Sequence, residues 1–136
     1  MMLVDAGPLI AMLHSADEDH ERCLVAAENI RPPMITSWVV LAEAMHVLGR
    51  LRGWRGQRAL WKLITDGIID LASLGPDDAW RTADLMQRFR DQPMDLGDAT
   101  LVVLAEQLNC DRVFTLDQHF RAYRIGGRRK FEIVPD

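Results

Sequence analysis

Short apolar runs alternating with capped helical segments predict an α/β fold whose mainly parallel sheet is covered on both faces. Three observations carry that reading. Met2-Leu3-Val4 is an apolar run that ends directly on Asp5, and Arg112-Val113-Phe114-Thr115-Leu116 ends in the same way on Asp117. Strong helix starts recur between the runs, at Pro8, Ser37, Gly75-Pro76-Asp77-Asp78 and Asp95. The runs are too short and too uniformly apolar for strands with one face in water.

Taken in order, Met2–Val4 is a buried strand, and the chain turns into a helix near Pro8, a residue favoured in the first helical turn. A second helix is predicted from Asp17 to about Asn29, with Asp17, Glu18 and Asp19 at the positive end of its dipole. Pro32-Pro33 ends it, and Met34-Ile35-Thr36 is the second strand. Ser37 is the N-cap of a helix from Trp38 to about Leu48, stopped by Gly49. Further helices are predicted from Gly56 to Asp66, from Asp78 to about Arg90, and from Leu96 to Leu108 behind Asp95. Ile68–Leu71 and Arg112–Leu116 supply two more strands, and Phe131–Val134 closes the sheet after a basic turn holding Gly126-Gly127.

A chain of 136 residues with 49% hydrophobic content suits one domain, spanning 1–136, and a sizeable core. Its start has no basic segment and does not read as a signal peptide; no apolar run approaches the ~18 residues of a membrane span. Cys23 and Cys110 lie far apart and outside any ligand-like spacing, so both are expected as buried free thiols in a cytoplasmic protein. The net charge of −4 hides an uneven distribution. Arg50, Arg52, Arg55 and Arg58 form one basic stretch around Trp54, and Arg121, Arg124, Arg128, Arg129 and Lys130 form another.

Several acids stand in apolar surroundings. Asp5 and Asp117 follow strands, and the carboxyl ends of parallel strands line the edge where ligands bind. Each serves equally well as a helix cap. Glu43 is the one formally charged residue between Trp38 and Leu48, on a helical face with Val39, Val40, His46 and Val47, so it is expected to be buried and protonated, paired or metal-bound. Asp98 shares a face with Leu101, Val102 and Ala105. Asp95 and Asp98 also have capping-box spacing, and for Asp95 capping is the primary role. Carboxylates meeting at one edge repel each other unless protonated or bridged by a cation. No His or Cys has ligand spacing with them, which disfavours zinc, whereas hard oxygen donors suit Mg²⁺ or Mn²⁺.

At these residues the chain resembles the PIN domains, and especially the VapC-type toxins of toxin–antitoxin pairs. The resemblance rests on Leu3-Val4-Asp5, on Glu43 in a helix begun at Ser37, on Asp95-Leu96-Gly97-Asp98-Ala99, and on Thr115-Leu116-Asp117 with Phe120. It implies a three-layer α/β/α sandwich and a metal-dependent ribonuclease. It also implies that Asp5, Glu43, Asp98 and Asp117 are the catalytic, metal-holding acids, with Asp95 an accessory acid and Thr115 a supporting hydroxyl. Many members carry Thr or Ser after the first acid, whereas Ala6-Gly7-Pro8 stands here, so a hydroxyl contact is lost or supplied by Ser37 or Thr115. The expected partners are an RNA substrate, an antitoxin and a second copy in a homodimer. In that setting the arginine-rich stretches would hold flanking phosphates and Trp54 would stack on a base.

The alternative is a PIN fold kept as a non-catalytic RNA- or protein-binding module, which loss of an acid would favour; all four acids are present. Metal-dependent phosphotransfer is disfavoured, because Lys62 and Lys130 are the only lysines and Asp5-Ala6-Gly7 lacks a second Asp. Trp38, Trp54 and Trp61 supply either an interface or the remainder of the core.

Overall fold

The structure, a computed structural model, describes residues 1–136. Strand β1 (Met2–Val4) is wholly buried and leads through Asp5 into α1 (Ala6–Leu13). Helix α2 (His20–Glu28) follows, then β2 (Met34–Ser37), the long α3 (Trp38–Thr65) and β3 (Ile69–Ala72). A 3-10 turn at Pro76–Asp78 opens α4 (Ala79–Arg88), and α5 (Leu96–Leu108) precedes β4 (Arg112–Phe114). A 3-10 turn at Gln118–Arg121 leads to the hairpin of β5 (Arg124–Ile125) and β6 (Arg129–Lys130), and β7 (Glu132–Val134) ends the fold.

The five-stranded sheet has the order β3-β2-β1-β4-β7, and every pairing in it is parallel. The chain therefore moves outwards from β1 through β2 to β3, then returns past β1 to β4. Right-handed crossovers place α1, α2 and α3 on one face and α4 and α5 on the other, which makes the three layers. The order reverses between β1 and β4, and their carboxyl ends open the crevice that such sheets use for ligands. Buried apolar residues from every layer form one core, with Leu3, Val4, Leu9, Leu48, Leu101 and Phe114 among its fully buried members. From Gly97 to Ala105 every residue of α5 is buried, as expected of a helix that is apolar nearly all round. No helix is long and apolar enough to cross a membrane.

The structure departs from the sequence reading at several boundaries. Gly49 does not stop the third helix. The helical run continues and breaks at Gly53, where φ 61° and ψ −151° lie in a region open only to glycine. Gly49 instead allows a close approach: a Cβ there would lie 2.6 Å from Gln57 Nε2, which donates to Met45 O. Helix α2 begins only at His20, because Asp17 Oδ1 accepts from Asp19 N and holds that acidic segment in a turn. Helix α4 ends at Arg88, two residues short of Arg90. β4 stops at Phe114, although Thr115 N still donates to Val134 O at 2.9 Å before Leu116 turns into the cavity wall, and β7 begins after Phe131, whose ring packs edge-on against Phe120 at 5.4 Å. The basic turn contains a hairpin that the sequence does not announce. Cys23 and Cys110 are buried free thiols.

Candidate active site

Asp5, Glu43, Asp95, Asp98 and Asp117 line one cavity of about 300 Å³, together with Ala6, Gly7 and Leu116. It opens at the carboxyl ends of β1 and β4. A cavity of about 350 Å³ lies elsewhere, but its walls are Met12, Leu24, Ile30, Met34, Leu63 and similar apolar groups, with no converging polar atoms to do chemistry.

Each acid is delivered by a local device. Asp5 is the N-cap of α1 and accepts from Ala6 N through Oδ1 at 2.8 Å. Its other oxygen, Oδ2, accepts from Thr115 Oγ1 at 2.8 Å, and that hydroxyl in turn accepts from Asp117 N at 3.0 Å. Thr115 thus ties the ends of β1 and β4 together. Asp95 and Asp98 form a reciprocal capping box on α5: Asp98 N donates to Asp95 Oδ1 at 2.8 Å, and Asp95 N donates to Asp98 Oδ2 at 3.3 Å. Asp117 caps the following 3-10 turn and lies 2.8 Å from His119 Nδ1. Capping and convergence are therefore not alternatives, since the same carboxylates do both.

Oxygens of Asp5, Asp98 and Asp117 lie within 4.8 Å of one another. No lysine or arginine forms an ion pair with any of the five acids. The electrostatics reflect that deficit. Burial pushes the Asp5 carboxyl above its usual range, against the Thr115 and Ala6 hydrogen bonds, and the charges of Asp117 and Asp95 add to the rise. Burial, then the charges of Asp95 and Asp5, raise Asp98 to about 7. Glu43 is raised by desolvation first and by Asp95, Asp5 and Asp117 next. A cluster that disfavours its own ionisation, built only from hard oxygen donors, fits a divalent cation.

Two expectations need correction. Glu43 is exposed at the mouth of the cavity rather than buried, because its helical face lies at the border of the core: Val40 is buried, but His46 is exposed. Ser37 does not reach the cavity lining; its hydroxyl caps α3 by accepting from Val40 N at 3.1 Å and bonds to Thr100 Oγ1 at 2.8 Å. The residue that sequence reasoning missed is Tyr123. It is fully buried, its hydroxyl donates to Asp98 Oδ2 at 3.0 Å, and Phe89 and Phe120 hold its ring edge-on at 5.3 and 5.0 Å. Its one signal was to be the only tyrosine, set among arginines where an aromatic is unexpected.

The family model for the PIN domain matches residues 2–126. The chain is 27% identical over 135 residues to ribonuclease VapC26 of Mycobacterium tuberculosis, covering 98% of this chain and 100% of that protein. Its fold is similar to the crystal structure of M. tuberculosis VapC20, described as a sarcin–ricin-loop-cleaving toxin, with TM-score 0.76 and 18% identity over 83% of this chain and 87% of that one. It is also similar to VapBC2 of Rickettsia felis bound to a promoter DNA fragment, with TM-score 0.63 and 12% identity over 97% of each chain.

Proposed function

This chain belongs to the PIN domain family, and from that premise we propose that it is a divalent-metal-dependent ribonuclease, the toxin of a toxin–antitoxin pair. The observation that carries the reading is the convergence of Asp5, Asp98 and Asp117 within 4.8 Å, with no lysine or arginine paired to them. The full-length similarity to ribonuclease VapC26 supports RNA as the substrate class.

In this reading Asp5, Asp98 and Asp117 hold Mg²⁺ or Mn²⁺, with Asp95 an accessory acid at the same wall. Such an ion, when bound, supplies Lewis acidity that activates water and stabilises charge on the phosphodiester. The chain's own groups do the rest. Thr115 Oγ1 fixes Asp5 Oδ2, and Tyr123 OH fixes Asp98 Oδ2, so both carboxylates are oriented before substrate arrives. Glu43, exposed at the mouth of the cavity, takes the proton of the attacking water at its carboxylate oxygen.

Incubation of single-stranded RNA with Mg²⁺ or Mn²⁺ should give cleavage that chelator abolishes and added metal restores. Cleavage that survives thorough chelation refutes the mechanism. The same reading assigns an antitoxin to the exposed surface of α3, where Trp38, Trp54 and Trp61 are 53%, 64% and 36% exposed, and expects the chain to form a homodimer. Light scattering should report a dimer, and a clean monomer at tens of micromolar removes that part of the reading.

A further inference from the structure

We infer that the β5–β6 hairpin is a binding site for the phosphodiester backbone of single-stranded RNA, set beside the acidic cavity. The inference rests on the ribonuclease reading above. Residues 121–130 carry Arg121, Arg124, Arg128, Arg129 and Lys130 and no acid, on a chain whose net charge is −4. Arg88 adds a further cation at the tip, since a Cβ on Gly127 would lie 3.8 Å from its Nη1.

These charges are exposed and almost unpaired. Arg88, Arg121, Arg128, Arg129 and Lys130 are exposed. Only Arg129 has an acid in reach, Asp111 at 3.9 Å. The Arg124 guanidinium donates to Arg121 O and Tyr123 O at 2.9 Å, which fixes its position without neutralising its charge.

The hairpin is also held in place. Gly126 N donates to Glu106 Oε2 at 2.9 Å, and Glu106 is itself gripped by Arg81. At the other end Tyr123, immediately before β5, reaches into the acidic site through Asp98. Arg124 follows Tyr123, and Lys130 pairs with Arg124 across the hairpin, about 5 Å away between Cα atoms. A cluster of uncompensated carboxylates and a row of uncompensated cations are thus joined by one side chain, yet no ion pair links them. A polyanionic strand lying on the hairpin, with a divalent ion in the cavity, offsets both.

The test is fluorescence anisotropy of a 5′-labelled, mixed-sequence single-stranded RNA, in chelator so that nothing is cleaved, across a salt series. Wild type is compared with R128A/K130A, or R128Q/K130Q should alanine shift the melt. Each single-strand phosphate contact adds about 0.7 to the slope of log affinity against log salt, about fivefold at 0.1 M. Loss of two contacts should weaken binding about 25-fold and make the slope shallower by about 1.4. Unchanged affinity and slope overturn the inference, as does a wild type that binds no RNA. A poly-glutamate peptide that loses affinity for the variant while RNA does not assigns the hairpin to an acidic protein segment and overturns it too. Chelator-sensitive cleavage, measured separately, shows whether the ribonuclease reading stands when the hairpin inference falls.

Discussion

Asp98→Asn should abolish metal-dependent cleavage and yet, in the metal-free protein, raise thermal stability at pH 8. The carboxyl of Asp98 sits at about 7 in the fold, against an ordinary 3.8, because burial and then the charges of Asp95 and Asp5 oppose ionisation. The folded protein therefore holds this proton more tightly than the unfolded chain does. The contribution of Asp98 to stability falls as pH rises from about 3.8 to about 7 and is level above that. At ~1.4 kcal/mol per pH unit the displacement corresponds to about 4 kcal/mol, and screening by water in the open cavity reduces it to roughly 2 kcal/mol. Asparagine has the same shape, and one oxygen suffices for its partners, because Tyr123 OH and Asp95 N both donate to Oδ2. The melting temperature in chelator should rise by about 6–10 °C at pH 8, at roughly 3–5 °C per kcal/mol. The gain should close as pH approaches 4, and added Mn²⁺ should stabilise wild type but not the variant. A variant that melts below wild type at every pH refutes the reasoning, for the capping bond that Asp98 accepts from Asp95 N would then outweigh the repulsion by Asp95 and Asp5.

Tyr123→Phe keeps the packing against Phe89 and Phe120 but removes the donor to Asp98. It should weaken Mn²⁺ binding by calorimetry about 10–150-fold, the worth of one hydrogen bond to a charged group, with little change in the melt. Unchanged Mn²⁺ affinity shows that Asp98 needs no such support. Gly53→Ala forces a side chain into φ 61°, ψ −151° and should cost about 1–3 kcal/mol in chemical denaturation. A neutral result means that the two halves of α3 tolerate a different junction.

What the sequence determined by itself is what short-range physics decides. An apolar run buried on both faces, a carboxylate next to the first amide of a helix, and a proline pair that ends one are each settled within a few residues. The five strands of the parallel sheet and the caps at Asp5, Ser37 and Asp95 were legible for that reason, whereas the clustered acids were legible through their apolar settings and the PIN resemblance, and the β5–β6 hairpin was not. Glu43 was legible as an unusual acid but not as an exposed one, since the helical face it occupies is bounded by neighbours from other layers. The third helix shows the same limit. Gly49 looks like a stop until Gln57 packs against it, and the true break at Gly53 is set by where the second half must lie. Only the tertiary structure could join Thr115 to Asp5, 110 residues away, or bring Tyr123 from a basic turn onto Asp98. Those bonds depend on the sheet order, which sets β4 beside β1 after the chain has travelled to β3 and back. Side chains so far apart in sequence meet only because loop-closure entropy has been offset by burial of the whole core.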